Sequence, residues 1–138
     1  METTLTILKP DSVAAGNTGK ILDHLIQEGF VVRALKLLRL SEPQARAFYE
    51  VHKERPFYDA LVAFMTSGPV VVAALERTEA VTHLREVMGA TDSQKAAPGT
   101  VRAQFGTDIE RNAIHGSDSP ENAAREVGFF FSESELLP

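Results

Sequence analysis

Along this chain, apolar residues come in short runs whose spacing switches between the strand period of two and the helix period of 3.6. "TTLTILK", residues 3 to 9, alternates partly and stops at Pro10, which predicts a strand followed by a turn. From Thr18, residues Ile21, Leu22, Leu25 and Ile26 recur at helical spacing until Gly29, which predicts a C-terminal cap. "FVVRALKLLRL" is long, apolar and β-branched at its start, and predicts a second strand. Ser41 with Gln44 three residues on has the form of a capping box, and Ala45, Phe48, Tyr49 and Val51 continue that helix. Leu61, Val62, Phe64 and Met65 predict a second short helix ending at Ser67-Gly68. "PVVVAALE" is a strand that Pro69 starts, and "TEAVTHLREVMG" a helix capped by Thr78 and ended by Gly89. Residues 89 to 112 lack periodicity and are expected to form a long loop, of the kind that in compact domains is usually functional or disordered. "AIHGS" is short enough for a last strand, and Ser119-Pro120 opens a final helix through "ENAAREVGFFF". The order β-α-β-αα-β-α-loop-β-α fits an α/β or split βαβ sheet with helices packed on it. Periodicity does not specify the strand order.

Composition narrows the function. With 138 residues, 43% of them hydrophobic, the chain has the length of one domain and the apolar surface for a core. A net charge of -5 argues against general attraction to nucleic acid or anionic membrane, so a polyanion must be bound locally. The absence of cysteine excludes a disulfide framework and a thiolate zinc site, and fits the cytoplasm. The N-terminus has no basic region followed by an apolar core, and no window approaches the length of a membrane span.

Single motifs carry little. "GNTGKI", residues 16 to 21, has two residues between its glycines where a phosphate loop has four, and Ile21 stands where that loop needs a hydroxyl, so it is a turn and helix start. His24, His52, His83 and His115 lack the i, i+4 pairing of a helical zinc site. "NAIHGSDS", residues 112 to 119, is on its own a turn with a surface His. Lys9 after a strand, Arg85, Thr91, Arg102, Tyr49 and Phe57 each have an ordinary surface or packing explanation. Together they say more: three cations for a phosphate chain, Thr91 and Asn112 as neutral donors, Phe57 as a ring for a base, and His115 as a reacting group. Those are the parts that phosphoryl transfer needs, because positioning and charge neutralisation supply most of its catalysis.

Six separated motifs in order, "LKPDSV", "YEVHKERPFY", "SGPVVVAALE", "MGATD", "APGTVRAQFG" and "NAIHGSDS", resemble those of nucleoside diphosphate kinases over essentially the whole length. The resemblance implies one domain over residues 1–138 with a ferredoxin-like βαββαβ fold, a four-stranded antiparallel sheet covered by helices. It implies ping-pong transfer of the γ-phosphate from a nucleoside triphosphate, mainly ATP, to a nucleoside diphosphate, with broad base and sugar specificity. By motif, His115 is expected to carry the phosphate and Ser117 and Glu126 to hold its imidazole. Lys9, Arg85, Thr91 and Arg102 are expected as phosphate ligands, with Lys9 and Asn112 also near the sugar and Tyr49 supporting Lys9. Phe57 and Ile109 are expected on the two faces of the base. Replacing Lys9 or Arg102 is expected to affect rate far more than stability.

The same resemblance implies Mg2+ held mainly by the nucleotide phosphates, with no direct protein ligand. It also implies a cytoplasmic homo-oligomer, a tetramer or hexamer, in which the segment around Pro98 often packs between subunits. Neither nucleic acid nor membrane is expected as a partner. The chain departs from the family pattern at Ser12, commonly Gly, at Arg55, commonly Lys, and at Gln104, frequently acidic; Ser12 is expected to alter a turn without touching a ligand, and the other two to alter local salt bridges. A ligand-binding ferredoxin-like regulatory module would not need His115. A protein-histidine phosphotransfer protein would need it but not Phe57, Lys9 and Asn112 at a nucleotide.

Overall fold

In the computed structural model, which describes residues 1–138, four antiparallel strands form one sheet in the order β2-β3-β1-β4. The strands are β1 (Glu2–Leu8), β2 (Val31–Leu38), β3 (Val70–Arg77) and β4 (Ile114–Gly116). Seven helices connect and cover them: α1 (Pro10–Ala14), α2 (Thr18–Gln27), α3 (Glu42–Phe48), α4 (Tyr58–Met65), α5 (Ala80–Met88), α6 (Val101–Phe105) and α7 (Pro120–Phe130). This is the expected ferredoxin-like arrangement, with β3 and β1 as the inner strands and β2 and β4 at the edges.

β3 shows why its sequence is an unbroken apolar run. Val70, Val72 and Ala74 enter the core under α3, α4 and α7, while Val71, Ala73 and Leu75 enter the one under α2 and α5, so both faces of the strand are buried. In β2 a bulge at Arg33 flips the alternation, turning Ala34 and Leu38 to the α7 side and leaving Leu35 and Leu37 exposed on the α2 side.

Local signals in the sequence decide several boundaries. Ser41 and Gln44 form the reciprocal capping box at α3. Ser119 Oγ accepts the Asn122 N–H at the start of α7, with Pro120 in its first turn. At the end of α2, Gly29 adopts φ +92; its N–H reaches Ile26 O and that of Phe30 reaches Leu25 O, the double closure for which a left-handed residue is required.

Three expectations are corrected. The turn after β1 is a short helix, α1, because Pro10 at its first position has the φ a helix needs and no N–H to lose. Thr78 does not cap α5: Glu79, at φ 52, is the capping residue without a side-chain bond, and Glu2 Oε1 takes the Val81 N–H from across the sheet. The long segment from 89 to 112 is not structureless. It contains a 3-10 turn at Ser93–Lys95 and α6, whose N-terminus is capped by Thr100; both are too short for periodicity to reveal.

Candidate active site

The end of β1, the α3–α4 connection, α5, the 89–112 segment, β4 and α7 line one cleft of about 980 Å³, at the upper end of the range for small-ligand sites. Ten of the eleven expected site residues line it: Lys9, Tyr49, Phe57, Arg85, Thr91, Arg102, Ile109, Asn112, His115 and Glu126. The eleventh, Ser117, stands behind it.

β4 pairs with β1 through Ile7 and His115, which puts the His115 ring on the α3–α7 side of the sheet. There the edges of Phe48 and Tyr49 meet it at centroid distances of 5.4 and 6.0 Å. On the opposite side, Gly116 lies against α5: a Cβ there would come 2.8 Å from Met88 Sδ and 3.0 Å from Leu84 Cδ2. A side chain after the histidine would therefore have to displace the Met88 and Leu84 tips.

The imidazole is held from behind. His115 Nε2 and Glu126 Oε1 are 2.7 Å apart, and Ser117 Oγ donates to the same oxygen at 2.9 Å while accepting the Leu5 N–H at 3.3 Å. With Glu126 Oε1 accepting, Nε2 carries the ring proton and Nδ1 keeps the lone pair. Thr6 on β1 donates to the His115 carbonyl at 2.8 Å, so backbone and ring are both anchored.

The cations are placed differently from one another. Lys9 is buried, and its ammonium donates to Asn112 Oδ1 at 2.7 Å. Burial, and then the neighbouring Arg102 charge, pull its pKa down to about 8, with Asp11 and Glu110 opposing. Arg102 donates to three backbone carbonyls, Nη2 to Ile114, Nη1 to Gly89 and Nε to Asn112, at 2.8, 3.1 and 3.3 Å. Burial, and then the charge of Arg85, lower its pKa to about 10. Arg85 and Thr91 are exposed at the rim, and Phe57 and Ile109 offer apolar surface at the mouth.

Between Asn112 and His115 the chain turns through a strained residue. Ala113 has φ 73, and the Ile114 N–H closes a three-residue turn onto Asn112 O at 2.9 Å. That conformation costs about 1–3 kcal/mol in a non-glycine residue and persists where neighbours over-determine it. Those neighbours are the "KPDS" residues: the Ala113 carbonyl accepts from Lys9 N and from Ser12 Oγ, both at 2.9 Å, and its N–H donates to Asp11 Oδ2 at 3.1 Å.

One expectation about contacts is therefore revised. Tyr49 does not hydrogen-bond Lys9: its hydroxyl is buried without a partner, and its ring adjoins His115 instead. Burial, then the Glu126 charge, raises the pKa of that phenol, so it stays protonated. Ser12 touches no expected ligand, and its hydroxyl donates to the Ala113 carbonyl in the turn two residues before His115. Gln104 makes a local bond to Gly99 O. Arg125 was invisible to sequence reasoning; it lines the cleft and donates to the Ala47 and Phe48 carbonyls that end α3. Its position next to Glu126 was the only available signal.

Comparison with known proteins shows the family and the fold. The family model for nucleoside diphosphate kinase matches residues 2–136. A nucleoside diphosphate kinase of Nitratiruptor sp. is 56% identical over 137 residues, covering 99% of this chain and 100% of that one. The Aquifex aeolicus nucleoside diphosphate kinase is 54% identical, and its crystal structure superposes with a TM-score of 0.97 over 99% of both chains. A Halobacterium salinarum nucleoside diphosphate kinase, solved in complex with CDP, is 41% identical with a TM-score of 0.95 over 99% of this chain and 91% of that one.

Proposed function

This chain belongs to the nucleoside diphosphate kinase family and is a nucleoside diphosphate kinase, and from that premise we propose that His115 carries the phosphate between nucleotides, with Nδ1 as the attacking atom. The observation that carries this reading is the bond between His115 Nε2 and Glu126 Oε1, which leaves the Nδ1 lone pair free. In the first half-reaction that lone pair forms the N–P bond as the bond from the γ-phosphorus to the bridging oxygen breaks, and the diphosphate leaves with the electron pair. In the second, a terminal oxygen of the incoming diphosphate attacks phosphorus and the N–P electrons return to the ring. Glu126 stabilises the cationic ring of the intermediate, and Ser117 holds Glu126.

Lys9, Arg85 and Arg102, with Thr91, bind the phosphate chain, and Lys9 with Asn112 meets the sugar. Tyr49, a protonated phenol beside the imidazole, lies within the same cleft and can donate there. The base sits between Phe57 and Ile109, a pair of apolar surfaces that favours stacking over edge reading. Enzymes of this family work with a divalent cation; Mg2+ would serve here, and it would be held mainly by the nucleotide's phosphate oxygens, which suit a hard cation that keeps part of its water. When bound, it neutralises phosphate charge beyond what the three cleft cations cover.

Residues 1–138 act as one domain in the cytoplasm; no helix is long and apolar enough to cross a membrane. The protein assembles as a homo-oligomer, a tetramer or hexamer. In support, Ile26, Val31, Leu35 and Leu37 leave apolar surface exposed on α2 and the edge strand β2.

Incubation with γ-labelled ATP tests the carrier. Label is expected on the wild-type protein, acid-labile and alkali-stable as a phosphoramidate is, and absent from a folded His115→Ala variant. Label taken up by that variant at the wild-type rate rules the assignment out.

A further inference from the structure

The strained turn that sets His115 against the nucleotide ligands is held by a residue with no role in the chemistry above. We propose that Asp11 is a positioning residue for phosphoryl transfer: its carboxylate holds the left-handed turn at Ala113 and so fixes His115 relative to Asn112 and Lys9. This rests on His115 being the phosphate carrier.

The turn joins two groups that must face one substrate. Asn112, before it, receives the Lys9 ammonium on Oδ1 and donates through Nδ2 to the carbonyls of Thr91 and Ile109. His115, after it, is locked to Glu126. Between them the chain passes through Ala113, fully buried at φ 73, which an L-residue adopts only when held. Lys9 N and Ser12 Oγ hold its carbonyl, and Arg102 holds the carbonyls of Asn112 and Ile114 on either side. The Ala113 N–H has one partner, Asp11 Oδ2, 102 residues away in sequence. That N–H is the donor that a relaxed, right-handed residue at 113 would re-aim, so the carboxylate selects the conformation and does not merely satisfy a buried group. Asp11 follows Pro10 in the first turn of α1, which Lys9 anchors directly to the end of β1. The acceptor is thus fixed to the sheet strand that pairs with His115.

Three variants separate this role from its alternatives: Asp11→Ala, Asp11→Asn and Asp11→Ala combined with Ala113→Gly. The readouts are the single-turnover rate of His115 labelling from ATP and the equilibrium Kd for ADP. Asp11→Ala is expected to slow labelling about 10- to 100-fold, the scale of a displacement near 1 Å, with a smaller change in Kd. Asp11→Asn keeps an oxygen for the Ala113 N–H and is expected to retain most of the rate. If Asp11 served Lys9 by charge alone, Asp11→Asn would be as slow as Asp11→Ala, which overturns the proposal. Glycine adopts positive φ freely, so the double variant is expected to regain most of what Asp11→Ala loses.

A double variant as slow as Asp11→Ala, or Asp11→Ala at the wild-type rate, likewise overturns it. Should Asp11→Ala fail to fold, the double variant carries the test: folding and labelling support the role, and failure of either overturns it. Labelled wild-type protein with unaffected Asp11 variants removes the role of Asp11 alone. Wild-type protein that takes no label on His115 removes the carrier and the positioning role together.

Discussion

His115 on β4 and Glu126 on α7 meet at 2.7 Å, Nε2 to Oε1, and that contact determines which ring nitrogen is free. Replacing Glu126 by Gln offers an amide that can present either a donor or an acceptor, so the tautomer is no longer imposed. Phosphoryl transfer is expected to fall on the order of 10²-fold while nucleotide affinity holds. Rapid-quench labelling alongside equilibrium binding checks this, and a wild-type labelling rate in Glu126→Gln would show that the carboxylate is dispensable.

Lys9 predicts a pH limb. With its pKa lowered to about 8 by burial and Arg102, the free enzyme loses this charge as pH rises through 8, so kcat/KM should decline there. Bound phosphate favours the ammonium and should move the limb in kcat to higher pH. Stability runs the other way: the unfolded chain keeps the proton up to the ordinary lysine value, about 10.4, and so binds more protons than the folded one between there and 8. This group's contribution to stability therefore rises with pH across that window and is constant below it. Lys9→Met should remove both effects, as pH–rate profiles and denaturation at two pH values would reveal.

Arg102 and Lys9 should part company in stability, although both were expected to matter mainly for rate. Arg102→Ala removes a donor from three carbonyls, of which only that of Asn112 keeps another, the Ile114 N–H, and is expected to cost about 2–4 kcal/mol as well as activity. Lys9→Met removes a buried cation and leaves only Asn112 Oδ1 without it, so its thermal midpoint should change little. Equal midpoints for the two variants would mean that the carbonyl contacts of Arg102 do not hold the fold.

The proposed seat of the base between Phe57 and Ile109 predicts breadth. Phe57 and Ile109 can contribute roughly 1 to 3 kcal/mol by stacking without reading base edges. ADP, GDP, CDP, UDP and dTDP should all serve as acceptors, purines modestly preferred. Measured kcat/KM values that favour one base by more than about a thousandfold would require an edge-reading group that this account lacks.

Signals confined to a few neighbouring residues were legible in the sequence. The Ser41–Gln44 box, the Ser119-Pro120 helix start and the Gly29 closure depend on local hydrogen bonds and backbone preference, and each stands where it was expected. Strand β3 was legible as an apolar run because burial on both faces leaves no polar position. Thr78 misled, because the donor it would have capped is satisfied by Glu2 from another strand. Helices α1 and α6, of five residues each, are shorter than the window in which a 3.6 period can be recognised.

The residues of the cleft were named from separate motifs, but their order along the chain says nothing of who touches whom. Lys9 to Asn112, Asp11 to Ala113 and Tyr49 to His115 span 103, 102 and 66 positions, the last being 115 less 49, and only the sheet order β2-β3-β1-β4 brings them together. Sequence alone determined the element types and the chemical parts, because propensity, capping and periodicity are properties of adjacent residues. The tertiary structure alone decided that Nε2 is the bonded nitrogen, that Arg102 is pinned by carbonyls and that Ala113 is held left-handed, because each depends on partners whose closeness comes from packing across the sheet.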